Sequence, residues 1–91
     1  IARRQAERER LAAEQRARDS DARRILENEL RRDEAQLAAM RKECNNGEPE
    51  RLGSERNFQR YLDRVAEMRA AIERKESDVA ALRRELGKLP P

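Results

Sequence analysis

The stretch FQRYLDRVAEMRAAIERKESDVAALRRELGKL, residues 58–89, decides the fold class. It carries a stripe of Phe58, Tyr61, Val65, Met68, Ile72, Lys75, Val79, Leu82, Leu86 and Leu89, with Lys75 its only charged member. The spacings alternate between three and four without a break. A 3.5-residue period held over about five heptads keeps one helix face turned toward a neighbouring helix. Gly87 and then Pro90-Pro91 supply a stop.

This stripe settles a conflict in the composition. The 91 residues are 45% charged and 2% aromatic, without Trp or His. Such a chain cannot fill a thick globular core, and without periodicity it would read as disordered. With periodicity it reads as long amphipathic helices. The expectation is a single all-α module, residues 1–91.

The N-terminal half repeats the pattern less cleanly. Leu26, Leu30, Asp33, Leu37, Met40 and Cys44 form a stripe of the same spacing. Traced backwards it meets Arg23, Asp19 and Arg16. A second stripe runs through Leu11, Gln15, Arg18, Ala22 and Ile25. Moving between the two calls for a stutter near Ala22–Leu30. Ala, Arg, Glu and Gln on both sides predict one helix continuous through Asp19-Ser20-Asp21.

Between the halves the chain turns. Asn45-Asn46-Gly47 suits the left-handed conformers that end a helix. Pro49 can open a short helical turn that Gly53 stops, and Ser54 is a natural cap for the second helix. Leu52 should fold back onto Phe58 or Met40. The expected elements are helix 1 over 1–44, a structured turn over 45–53 and helix 2 over 54–89. Such a turn makes the helices antiparallel. Placing Cys44 opposite Phe58 brings Leu37 to Val65, Leu30 to Ile72 and Leu26 to Lys75, whose ammonium would reach Glu27 or Glu29. Residues 1–11 then overhang by roughly 16 Å.

Chemistry is sparse. No His and no concave arrangement of carboxylates point to catalysis, so the chain reads as a non-enzyme with no cofactor. Asp19-Ser20-Asp21 opens like a calcium loop, but Arg24 and Leu30 stand where that loop needs Gly and Glu, so no metal site is assigned. Arg56, Arg60 and Arg64 recur every four residues beside the turn. They form either an anion contact or a solvated stripe offset by Glu55, Asp63 and Glu67. Cys44 is either a small buried hydrophobe or a thiol for intermolecular pairing.

Charge is well mixed. Residues 1–44 hold 12 basic and 10 acidic side chains, and residues 54–91 hold 9 and 7. Without a block of one sign, the net +3 gives little support to nucleic acid as a partner. No apolar run approaches the ~20 residues of a membrane span. The first residues are already helical in composition, which reads as a piece of a longer protein.

The segment from Cys44 to about Leu86, NNGEPERLGSERNFQRYLDRVAEMRAAIERKESDVAALRREL after the cysteine, resembles the C-terminal coiled-coil region of a family of uncharacterised proteobacterial cell-envelope proteins. The most specific part is Asn45–Val65. Cys44 departs from the family pattern, which has Tyr there. The resemblance implies a bacterial periplasmic or envelope location and a small preceding domain, and it carries over no catalytic residues.

The expected role is therefore structural: a coiled-coil hairpin, dimerised into a longer coiled coil or four-helix bundle, that self-associates and presents its turn to a protein partner. The alternative is a nucleic-acid-binding helical arm, which would need a continuous basic face. A third reading is a holdase-like clamp with exposed apolar residues near the overhang.

Overall fold

A computed structural model of the chain describes residues 1–55 and 57–91. Two long helices pack against each other as an antiparallel hairpin. Helix α1 spans Ala2–Cys44 and α2 spans Phe58–Lys88. The whole is a rod of 79 × 17 × 15 Å.

Helix α1 runs unbroken through Asp19-Ser20-Asp21. Its 43 residues reach about 64 Å at 1.5 Å each. It ends where Asn45, Asn46 and Gly47 all take positive φ, at 49°, 58° and 87°. Asn and Gly tolerate this left-handed region, and the N–H of Asn45 donates to the carbonyl of Arg41, closing the helix end. A single 3₁₀ turn over Asn45–Gly47 follows. The Asn45 side-chain amide donates to the carbonyl of Glu48 at 3.0 Å.

The start of α2 differs from the expectation. It begins at Phe58, not at 54, and its cap is Asn57, whose Oδ1 accepts from the N–H of Arg60 at 2.9 Å. Ser54 lies in a turn before the helix and is exposed. The connection is thus longer than a reversal needs. Its residues lie along the first turns of α2, where the Tyr61 hydroxyl donates to the carbonyl of Pro49 at 2.7 Å.

The longer connection changes the register. Leu37 shares a hollow with Val79, and Cys44 shares one with Ile72 and Arg69. The expected partners were Val65 and Phe58, so α1 meets α2 more than a turn further along than expected. A slip by whole heptads leaves every seam residue on its face, so the periodicity is silent about it. Ion pairs follow the same register: Arg83 meets Glu34 at 2.8 Å and Arg41 meets Glu76 at 3.6 Å. Lys75 donates to Gln36 at 2.8 Å and lies 3.8 Å from buried Asp33, rather than reaching Glu27 or Glu29 beside Leu26.

The displaced register also removes the expected stutter. The α1 seam continues on strict spacing through Leu26, Arg23 and Asp19, all half-buried. Arg23 donates to the carbonyls of Pro90 at 2.6 Å and Leu89 at 3.4 Å, tying down the chain just past the end of α2. Leu11 and Ile25 lie off the seam, 49% and 56% exposed. Residues 1–18 are exposed throughout, so the overhang exceeds the expected eleven residues and spans about 27 Å.

On α2 the stripe from Tyr61 to Leu89 is buried or half-buried at every position. Val65 and Val79 are the most enclosed, at 7% and 4% exposure. Phe58 is the exception, 58% exposed. It lies at the first turn of α2, beyond the end of α1, so no seam faces it.

Candidate functional site

The most densely bonded part of the rod is its tip, residues 45–68. Glu55 is its centre. In sequence it stands where a first-turn carboxylate would face solvent. In the structure it precedes the helix and is buried, accepting from the Leu52 N–H at 2.7 Å. Arg64, nearly two turns into α2, reaches back to it. Its Nε lies 2.6 Å from Oε2 and its Nη2 3.1 Å from Oε1, a two-pronged contact. The same Nη2 donates to the carbonyl of Glu50 at 2.7 Å.

This geometry sets the charge state. The Arg64 hydrogen bond holds the Glu55 carboxyl below its ordinary range; burial opposes this and the Leu52 N–H reinforces it. Arg64 in turn is held more firmly protonated by Glu55. A carboxylate with a fixed, charged partner cannot act as a proton shuttle near neutral pH.

Aromatic groups complete the tip. Phe58 and Tyr61 stack with centroids 5.7 Å apart. The Arg51 guanidinium sits 5.8 Å over the Phe58 ring while its Nε donates to the carbonyl of Glu55 at 3.1 Å. Arg64 lies 5.7 Å over the Tyr61 ring. Pro49 and Val65 are buried, whereas Leu52, Phe58 and Leu62 are exposed. Leu52 therefore does not close over the seam. Gly53 has open space around it.

Of the three arginines beside the turn, two lie among the described residues. Arg64 is engaged with Glu55 and Glu50, Arg60 is exposed, and Arg56 lies outside the described residues. The sequence reading missed the roles of Glu55, Arg64 and Pro49. A visible signal was Asn57, a second cap candidate three residues after Ser54. Had α2 been started there, Glu55 would have fallen in the connection.

Cys44 is 3% exposed on the seam at the end of α1, and its thiol is free. No group of three metal-ligating side chains occurs among the described residues. No helix among them is long and apolar enough to cross a membrane. No family model, curated protein or solved structure matches the chain.

Proposed function

We propose that the chain is a structural and protein-interaction module that self-associates and presents its tip as a contact surface. One observation carries this reading: the hairpin leaves its own seam half open. Among the described residues, only Leu37, Cys44, Val65 and Val79 form a buried apolar core, and no side chain is fully enclosed. Leu26, Leu30, Met40, Met68, Ile72, Leu82 and Leu86 keep an edge to water. Two helices have only one mutual face, and further burial needs another chain. Light scattering coupled to size exclusion at tens of micromolar tests it. The expected mass is twice 10.7 kDa, with a melting temperature that rises with concentration. A folded monomer with a concentration-independent melt would overturn it.

The tip's role rests on Leu52, Phe58 and Leu62, apolar groups held outward by a bonded loop. Serine at Phe58 and Leu62 should leave the melting temperature nearly unchanged, since neither supports the seam. A large drop would show that they serve the fold instead. The resemblance of the tip segment to cell-envelope proteins supports a bacterial envelope location, which fractionation of the full-length protein would test.

A further inference from the structure

We infer that the hairpin self-associates through the second stripe of α1, Leu11, Gln15, Arg18, Ala22 and Ile25, against the same stripe of a second copy lying antiparallel. This rests on the self-association reading and names its surface. Arg18, Ala22 and Ile25 each precede a seam residue by one position, so the stripe lies about 100° round the helix from the α2 seam. It keeps the heptad spacing of packed helices, yet within the hairpin only Ala22 is half-buried and the other four are exposed. Leu11 and Ile25 are two of the few large apolar side chains the rod exposes.

The unpaired length of α1 points the same way. The carbonyls just past the end of α2 meet Arg23, and residues 1–18 are exposed on every side. A helix of that length is marginal alone in water. Here it is supported only by local pairs such as Arg10 with Glu7 and Glu14.

Charge selects the occupant and its direction. Residues 1–18 hold six Arg and three Glu, net +3. Residues 19–36 hold four Arg and six Asp or Glu, net −2. A parallel copy would lay the positive segment on itself. An antiparallel copy, with its two-fold axis near Gln15–Arg18, lays each positive segment on the other's negative one. Leu11 then comes to the second copy's Ala22 and Ile25, and Arg4 comes to its Glu29. Gln15 and Arg18 fall at the axis, where polar residues in a heptad stripe fix register. Nucleic acid fits this face less well, because Glu7 and Glu14 interrupt its arginines.

The test joins mass measurement to cross-linking. The unchanged chain should run as a dimer, and Leu11→Asp with Ile25→Asp should run as a monomer that keeps its helical circular dichroism. In a Cys44→Ser background, Arg18→Cys should oxidise to a covalent dimer and Arg4→Cys, on the same stripe but far from the axis, should not. A monomeric unchanged chain overturns both this inference and the self-association reading. A dimer that survives the double aspartate variant overturns this surface alone and leaves the open seam edges. Equal cross-linking at both cysteines shows parallel pairing and overturns the direction. A salt-sensitive complex of the unchanged chain with duplex DNA or tRNA, formed in place of the dimer, also overturns it.

Discussion

Glu55 shows how one residue takes its role from the fold. Its carboxyl is below its ordinary range because Arg64 is fixed beside it. The folded state therefore binds fewer protons than the unfolded one, and this group's contribution is present above the ordinary carboxylate value of 4.5. It is lost as pH falls through the lower folded value. The tip should loosen on acidification, seen as faster amide exchange at Leu52 and Arg60 than at Val79. Glu55→Gln should speed that exchange at neutral pH and flatten its acid dependence. An unchanged acid profile would refute the assignment. Gly47 is a second residue-scale case. With φ at 87°, any Cβ there is strained, and it would also meet the Arg69 guanidinium. Gly47→Val should destabilise by ~1–2 kcal/mol in urea titrations. Gly53→Ala, into open space, should change stability by less than about 0.5 kcal/mol.

At the scale of helices, the question is what selects one register among slips of seven residues. Apolar pairs alone do not, since each heptad offers another. Asp33 and Lys75 can, because each is a charged member of an otherwise largely apolar seam and they lie 3.8 Å apart in this register. A slip that carried the two apart would leave Asp33 a buried charge without a partner. Replacing both by Leu should therefore raise stability by about 1–4 kcal/mol, as for other enclosed ion pairs. The same double variant should populate more than one register, visible as extra amide resonances. A single set of resonances would show that the tip alone fixes the pairing. Seam position also grades truncations. Leu37→Ala, at 6% exposure, should cost about 2–3 kcal/mol, near the low end for enclosed Leu, and Phe58→Ala well under that.

The whole molecule is a rod. Its radius of gyration is 22.1 Å, against about 12 Å for a compact domain of this length. Small-angle scattering distinguishes this from a folded-over pair of shorter helices. The register has its own molecular-scale test. With Cys44 retained, Ile72→Cys should be joined to it by a short bifunctional thiol reagent under mildly destabilising conditions, and Phe58→Cys should not. The opposite result would restore the pairing that loop length suggests.

The heptad spacing of residues 58–89 determined that α2 exists, which face it buries and that another helix must cover it. Asn45-Asn46-Gly47 determined where α1 ends, because few residues accept three left-handed conformers in succession. Helical composition determined that α1 is continuous. These are local properties, set by side-chain periodicity and backbone sterics. Only the tertiary structure decided where α2 starts, how far α1 overhangs and which heptads meet. The reason is that Ser54 and Asn57 are both competent caps, and the choice between them depends on a contact across nine residues, Glu55 with Arg64. Once that pair draws Glu55 inward, the connection lengthens and α1 meets α2 further along. Apolar Leu26–Cys44 then faces apolar Met68–Leu89, and Arg23 is left to cover the end of α2.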